Sequence, residues 1–212
     1  MPPEETAPLN VVIVDDHVAL RRGMELLLRR AGHHVVGTAD DAEVAEALIL
    51  RRRPDVALID LALPGKSGAE LTRSLLSIDP GLRIILYTGA ADERQLLEGL
   101  HAGAAGFALK SGDPEELDQA IRAVARGEDY LDPRLTPLLA KSANGRTKTL
   151  SPREREILGL LSQGLSGEEA AKQLFLSSET VRTHVRNAMA KLGAATRAHA
   201  IALALQRGEI SL

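Results

Sequence analysis

Four predicted strands in the first 110 residues each end on a polar or charged side chain. An apolar run over residues 56–59 stops on a single carboxylate, Asp60, and loop-forming proline and glycine residues follow directly. The other strand ends carry Asp15 with Asp16, Thr88 and Lys110. In an open α/β sheet the carboxyl ends of the strands form the ligand-binding edge, so these groups are expected to meet there.

Together these groups could perform phosphoryl transfer. Three carboxylates in one crevice suit a hard divalent cation, Mg²⁺ or Mn²⁺, which would neutralise the phosphoryl oxygens. Asp60 could then act as a carboxylate nucleophile and form an aspartyl-phosphate. Lys110 would supply a positive charge, and Thr88 a hydroxyl that donates to a phosphoryl oxygen. Taken singly, each residue is more often a helix cap or a solvated surface group, so the prediction depends on their shared edge.

The elements that would position these groups alternate between strand and helix. Short apolar runs predict five strands, at residues 9–14, 35–36, 56–60, 82–87 and 105–109. A helical pattern follows each of them, and the last one begins at Pro114 and is closed by Gly127. Five alternating units predict a parallel sheet covered by helices on both faces.

Composition and charge limit the class of protein. The 212 residues suffice for one large or two small domains, and the absence of cysteine excludes disulfides, thiolate metal sites and a cysteine nucleophile. Residues 1–127 carry 14 basic and 20 acidic side chains, and residues 128–212 carry 12 and 9. A polyanionic partner is therefore expected for the second half only. Because neither a signal peptide nor a membrane-spanning run is present, we expect a soluble cytoplasmic protein without membrane contact.

The second half has a helical pattern with one basic face. Residues 142–149 are polar and predict a flexible linker, after which four helices are predicted from residue 150. The third, at 179–192, has a polar face that carries Arg182, Thr183, Arg186 and Asn187. A short helix, a tight turn and a longer helix with a basic face are typical of a DNA-binding helix-turn-helix. The alternative is a solvated bundle whose arginines only keep it soluble.

Residues 10–127 resemble the receiver domain of two-component response regulators, through the combination of Asp15, Asp16, Asp60, Thr88 and Lys110. The resemblance implies a flavodoxin-like sheet of strand order 2-1-3-4-5, with Asp60 as the phosphoacceptor. It implies that Mg²⁺ is held by Asp16, Asp60, the backbone carbonyl of Ala62 and, directly or through water, Asp15. Thr88 and Phe107 match the hydroxyl and the aromatic ring that change position together on phosphorylation.

Two details qualify the resemblance to receiver domains. Many receivers have a cis-proline after the lysine that corresponds to Lys110, but Ser111 stands here, so a trans peptide bond is expected. Ala62 and Ala90 lie two residues after Asp60 and Thr88, at positions that tune in the family how readily water reaches the phosphoryl group. Small side chains there predict a short-lived aspartyl-phosphate.

Residues 150–205 resemble the LuxR-type helix-turn-helix of the NarL/FixJ response regulators. The matching residues are Leu150-Ser-Pro-Arg-Glu154, Gly164-Leu-Ser166, Leu176-Ser177, Thr180-Val-Arg-Thr-His184, Lys191-Leu192 and Thr196-Arg197. The resemblance implies that the third helix enters the major groove with Arg182, Thr183 and Arg186, and that the fourth can pair two such domains. Where the family usually has Asn, a basic residue and Glu, this chain has Gly167, Glu168 and Glu169. Negative charge suits the helix dipole there but would remove a phosphate contact.

The chain is therefore interpreted as a receiver domain at 9–128, a connector and linker at 129–149, and a DNA-binding domain at 150–212. We expect a transcription regulator of double-stranded promoter DNA. A cognate histidine kinase would phosphorylate Asp60 and so promote homodimer formation, release of the DNA-binding domain, or both. It is not expected to be a metabolic enzyme, because a haloacid dehalogenase-type phosphatase needs an aspartate where Ala62 stands. A phosphorylation-independent regulator with a vestigial receiver is a further reading, opposed by the complete set of site residues.

Overall fold

The computed structural model describes residues 7–89, 93–140 and 149–211. Its first part is a parallel sheet whose strands alternate with helices along the chain. The strands are β1 (Asn10–Val14), β2 (His34–Ala39), β3 (Val56–Asp60), β4 (Ile84–Thr88), β5 (Gly106–Leu109) and β6 (Tyr130–Leu131). The helices between them are α1 (Val18–Arg30), α2 (Ala42–Arg52), α3 (Gly68–Ile78), α4 (Glu93–Ala102) and α5 (Pro114–Ala125).

The sheet has the strand order β2-β1-β3-β4-β5-β6, and every neighbouring pair is parallel. The predicted order is confirmed, but the predicted number of five strands is wrong. In the sixth strand Tyr130 and Leu131 pair with Gly106 and Phe107. A strand of two residues is too short to show periodicity, so the sequence pattern could not reveal it. The connector thus begins as a strand beside Phe107.

Helices cover both faces of the sheet, which is why its central strands are apolar almost throughout. On one face α1 and α5 pack against the sheet, with Met24, Leu28, Ile121 and Val124 in a buried cluster. On the other face α2, α3 and α4 contribute to a second cluster, which continues into the helical part of the chain.

The second part of the chain is a bundle of four helices. They are α7 (Pro152–Ser162), α8 (Gly167–Gln173), α9 (Ser178–Leu192) and α10 (Arg197–Gln206), as the sequence pattern predicted within a residue or two. Each begins at a side-chain cap, which Ser151, Ser166, Ser177 and Thr196 provide. Between α8 and α9 the chain turns through Phe175 in the left-handed region, at a φ of 55°.

A short connector joins the two parts. After β6 a 3-10 turn (Pro133–Leu135) leads into α6 (Thr136–Ala140). The linker predicted at 142–149 lies outside the described residues, except for Thr149. Across the described ranges, no helix combines the length and the apolar character needed to span a bilayer.

Candidate functional site

The ends of β1, β3 and β5 bring three charged side chains together. Asp15 follows β1 and is fully buried, Asp60 ends β3 and is 2% exposed, and Lys110 follows β5. The Lys110 Nζ atom lies 2.7 Å from Asp60 Oδ2 and 2.8 Å from Asp15 Oδ2. The polar strand ends therefore meet at one edge of the sheet, and one ammonium group bridges two carboxylates.

Asp15 is held by several donors. Its Oδ1 accepts from the His17 N–H at 2.8 Å, and its Oδ2 accepts from the Tyr87 hydroxyl at 2.6 Å. Burial by itself raises the pKa of Asp15, but the hydrogen bonds from Lys110, Tyr87 and His17 outweigh it and leave the pKa below its usual value. Asp15 is thus a carboxylate that stays ionised although it is buried.

Asp60 is fixed by the loop that follows β3. Its Oδ1 accepts from the Ala62 N–H at 3.1 Å, while its Oδ2 faces Lys110. Helix α3 begins directly over the strand end at Gly68, where a Cβ atom would lie 2.2 Å from the Asp60 carbonyl oxygen. Gly68 is therefore required for the helix to approach the site. From the sequence, Gly68 was interpreted only as one of the loop-forming residues after the strand.

Thr88 and Phe107 lie on the neighbouring strands β4 and β5. Thr88 is 4% exposed at the end of β4, and its carbonyl accepts from the Lys110 N–H at 2.7 Å. The Phe107 ring is buried against α4, where a Cβ atom at Gly99 would lie 2.8 Å from it. The Lys110–Ser111 bond is trans, as predicted. Ala90 lies outside the described residues.

The donor set at this edge fits an oxygen-preferring divalent cation. Asp15, Asp16, His17 and Asp60 can each present one ligand atom within 4.8 Å of the others. The Asp16 Oδ1 atom is buried and lies 2.7 Å from His17 Nδ1, but in a geometry that is not a hydrogen bond. Three clustered carboxylates gain from a cation that neutralises their repulsion.

The polar face of α9 is exposed to solvent. The side chains of Arg182 and Arg186 are 74% and 71% exposed, and Thr183 and Asn187 are exposed beside them. The opposite face is buried through Val181, Ala188 and Leu192. Glu179 lies 3.0 Å from Arg182 and 4.0 Å from Arg186, so one carboxylate offsets part of the positive charge.

Comparison with protein families separates the chain into the same two parts, the sheet with its helices and the four-helix bundle. Residues 11–122 match the response regulator receiver domain, and residues 148–204 match the bacterial regulatory proteins of the luxR family. The chain is a LuxR-type response regulator. The match excludes the alternative of a merely solvated bundle, and it confirms the resemblance stated from the sequence. We refer below to the receiver and to the DNA-binding domain.

Relatives of this response regulator extend over nearly its whole length. The oxygen regulatory protein NreC of Staphylococcus carnosus is 34% identical over 94% of this chain and 98% of its own. The DNA-binding transcriptional activator DevR/DosR of Mycobacterium tuberculosis is 36% identical over 93% of this chain and 94% of its own. The solved complex of the response regulator RcsB with DNA has 28% identity and a TM-score of 0.58, over 94% of this chain and 98% of that one.

The receiver of this response regulator docks on helix α10 of the DNA-binding domain. Helix α10 is buried on nearly all sides, through Ala198, His199, Ala200, Ile201, Ala202, Ala204 and Leu205. Part of that surface packs on α7 and α9 of its own domain, and part packs on α4 and α6. The receiver and connector therefore cover α10, while the polar face of α9 stays open.

Polar contacts cross this docked interface. The Arg197 N–H donates to Asp129 Oδ2, and the Arg197 guanidinium donates to the Asp129 carbonyl. The Thr136 hydroxyl donates to the Ser162 carbonyl at 3.1 Å. Burial raises the pKa of Asp129 and lowers that of Arg197, and each partner's charge opposes the shift of the other. Loss of the Asp129 side chain would leave the Arg197 N–H without this acceptor, whereas the guanidinium would keep the backbone carbonyl.

Two histidines also meet across the docked interface. The ring of His199 on α10 lies edge-on to that of His101 on α4, with centroids 4.7 Å apart. His199 is 6% exposed, and burial together with the nearby His101 and Arg207 lowers its pKa to about 4. His199 is therefore neutral near pH 7.

The start of α8, where the chain departs from the LuxR-type pattern, has a structural role. Glu169 accepts from the Ser166 N–H at 2.7 Å, and the Ser166 hydroxyl accepts from the Glu169 N–H at 3.2 Å. This reciprocal pair is a capping box, and the backbone hydrogen bond lowers the pKa of Glu169. A serine followed three residues later by a glutamate indicates a capping box in the sequence. The interpretation from the sequence considered only the helix dipole and so missed it.

Proposed function

We propose that this response regulator is switched by transfer of a phosphoryl group to Asp60 from a cognate histidine kinase. The observation that carries the proposal is the Lys110 bridge between Asp60 and Asp15 at the carboxyl ends of their strands. The Asp60 carboxylate would attack the phosphorus of a phosphohistidine. A P–O bond forms as the P–N bond breaks, and the imidazole leaves with the electron pair.

The side chains around Asp60 have distinct roles in this proposal. A divalent cation, Mg²⁺ or Mn²⁺, would neutralise charge on the phosphoryl oxygens, with Asp15, Asp16, Asp60 and the Ala62 carbonyl as its ligands. Lys110 would exchange its contact with Asp60 Oδ2 for one with a phosphoryl oxygen. The Thr88 hydroxyl would donate to a second phosphoryl oxygen, and Phe107 would move with it.

The route from the phosphoryl group to the DNA-binding domain follows from the packing. Phe107 contacts α4 at Gly99, and α4 packs on α10. The carbonyl of Phe107 also accepts from the Asp132 N–H at 2.9 Å, which ties it to the connector. Movement of Phe107 would therefore disturb both surfaces that hold α10. Released α10 helices could then pair two chains as a homodimer.

The proposed partner of the dimer is double-stranded promoter DNA, and the proposed place of action is therefore the cytoplasm. Arg182, Thr183, Arg186 and Asn187 form the exposed face of α9 that would enter the major groove. The relation to RcsB, which was solved with DNA, supports this role. In this proposal the domains keep the limits 9–128 for the receiver, 129–149 for the connector and linker, and 150–212 for the DNA-binding domain.

The phosphoacceptor can be tested with a labelled small-molecule donor such as acetyl phosphate, supplied with Mg²⁺. The wild type should take up label, and Asp60→Asn should take up none while its far-ultraviolet circular dichroism is unchanged. Asp55→Asn is the matched control, because Asp55 precedes the same strand at its opposite, exposed end. Label in Asp60→Asn would overturn the assignment, and no label in the wild type would favour a vestigial receiver.

A further inference from the structure

Tyr87 is a buried tyrosine that the proposed phosphoryl transfer does not use. It precedes Thr88 in β4, is fully buried, and pairs in register with Asp60 on β3. Its side chain reaches across the neighbouring strand β3. The hydroxyl donates to Asp15 Oδ2 at 2.6 Å, although β3 lies between β4 and the strand that ends at Asp15.

The Tyr87 hydroxyl limits which oxygen of Asp15 is available to a ligand. Each carboxylate oxygen offers about two lone-pair positions. Oδ2 uses both, one for Tyr87 and one for Lys110, whose Nζ lies 2.8 Å away. Within the described residues, Oδ1 accepts one hydrogen bond, from the His17 N–H, and so keeps a second position for a ligand. Oδ1 and the Asp16 Oδ1 atom both lie near His17 Nδ1, at 3.5 Å and 2.7 Å.

The Tyr87 ring contacts Lys110, the second charged group beside Asp60. The Lys110 Nζ atom lies 4.9 Å from the centre of the ring, within the range of a cation–π contact. Hydroxyl and ring therefore act on the two groups, Asp15 and Lys110, that flank Asp60. A leucine or valine in the same buried place could fill the core but could not do either.

We propose that Tyr87 is a positioning residue of the phosphoryl-acceptor site. Its hydroxyl orients Asp15 so that Oδ1 is turned toward Asp16, and its ring keeps Lys110 between Asp15 and Asp60. The inference rests on the proposed function, because it assumes that Asp15 and Asp16 serve a divalent cation. Partners that orient a ligand in this way typically change metal affinity by about 10- to 100-fold when they are removed.

The test is Mn²⁺ binding to the full-length, unphosphorylated protein, followed by the electron paramagnetic resonance signal of free Mn²⁺. Tyr87→Phe removes the hydroxyl and keeps the ring beneath Lys110. It should weaken Mn²⁺ binding about tenfold. Tyr130→Phe is the matched control, because Tyr87 and Tyr130 are the two tyrosines of the chain, and it should bind Mn²⁺ as the wild type does.

A second measurement avoids any substitution at Tyr87. With no tryptophan in the chain, Tyr130→Phe leaves Tyr87 as the one strong near-ultraviolet chromophore. Addition of Mg²⁺ should then give a tyrosine difference spectrum, because the acceptor of the Tyr87 hydroxyl changes its charge environment. The further substitution Asp15→Ala should abolish that spectrum.

The outcomes separate this inference from the proposed function. Equal or tighter Mn²⁺ binding in Tyr87→Phe, or a Tyr87 spectrum indifferent to Mg²⁺, would overturn the role of Tyr87 and leave the metal site standing. A wild type that binds no Mn²⁺ would overturn the metal site and this inference with it. Weaker binding in Tyr87→Phe alone would support both.

Discussion

Helices α9 and α10 are neighbours in one domain, but their surroundings differ. The polar face of α9 lies in solvent, with Arg182 and Arg186 more than two thirds exposed. Helix α10 is buried on nearly all sides, in part by α4 and α6. The surface proposed to read DNA is thus accessible in the docked form, whereas the surface proposed to pair two chains is covered.

This difference indicates where regulation acts. A receiver that covered α9 would block DNA directly, and its release would suffice for a single chain to bind. If α10 pairs two chains as proposed, a receiver that covers α10 would limit dimer formation, and a docked chain would keep only the DNA affinity of a single α9. Phosphorylation would then raise DNA affinity because the second chain of a dimer binds a second DNA half-site, and not because α9 of the first chain is uncovered.

The largest expected effect comes from breaking the contact that holds α10. Asp129→Ala removes the acceptor of the Arg197 N–H and the charge that faces its guanidinium. Loss of such a contact costs about 1–3 kcal/mol of docking free energy. DNA affinity without phosphorylation should therefore rise by roughly 10- to 100-fold in fluorescence anisotropy.

The matched control for that variant is Glu128→Ala. Glu128 is the preceding acidic residue, is exposed, and pairs with Arg126, and it acts on Arg197 of α10 only through its solvent-screened charge. It should leave DNA affinity unchanged. If Asp129→Ala also left the affinity unchanged, docking on α10 would not limit DNA binding.

An effect of similar size and opposite sign on DNA affinity is expected from the exposed face of α9. Arg186→Ala should weaken DNA binding by about 1–3 kcal/mol if Arg186 contacts a base, and should lower the salt dependence by about one ion if it contacts only phosphate. Arg29→Ala, an exposed arginine on α1, controls for the general loss of positive charge. Unchanged affinity and salt dependence would remove Arg186 from the interface.

A third effect concerns folding stability rather than DNA affinity, through the pH dependence of a histidine on the covered helix α10. His199 has a folded-state pKa of about 4, whereas its unfolded value is near 6.5. The unfolded chain therefore binds more protons between these values, and the stability due to neutral His199 is complete above about pH 6.5 and is lost as pH falls toward 4. The free energy of unfolding should be about 2 kcal/mol lower at pH 5 than at pH 8 because of this group.

Urea unfolding of the wild type and of His199→Gln checks this pH dependence. The difference in unfolding free energy between the two proteins should show the His199 contribution, because the two differ only at this residue. His34→Gln, at an exposed histidine of β2, should keep the wild-type dependence. An identical pH dependence in His199→Gln would contradict the burial of a neutral His199.

The sequence predicted well those features that local patterns determine. Apolar runs of four or more residues located β1, β3, β4 and β5, and the polar groups at their ends located the site edge. Helical periodicity predicted α9 and the division of its faces. In each case burial of one face leaves a repeat in the sequence that a short window can show.

Features that depend on distant contacts could not be predicted in this way. Strand β6 has two residues and forms only because β5 offers an unpaired edge. The Tyr87–Asp15 hydrogen bond joins residues 72 apart, and Asp129 meets Arg197 across 68 positions. Such pairs leave no periodic trace, so the docking on α10 became visible only in the folded chain.

The central claim is that modification of Asp60 frees α10 for dimerisation. The most direct measurement is sedimentation velocity and DNA affinity on the full-length chain, with and without Mg²⁺ and beryllofluoride, a mimic of the phosphoryl group. The account predicts a monomer that becomes a dimer with higher DNA affinity when both are added, and no change in Asp60→Asn. Tight DNA binding that ignores the mimic, or a dimer present without it, would contradict the account.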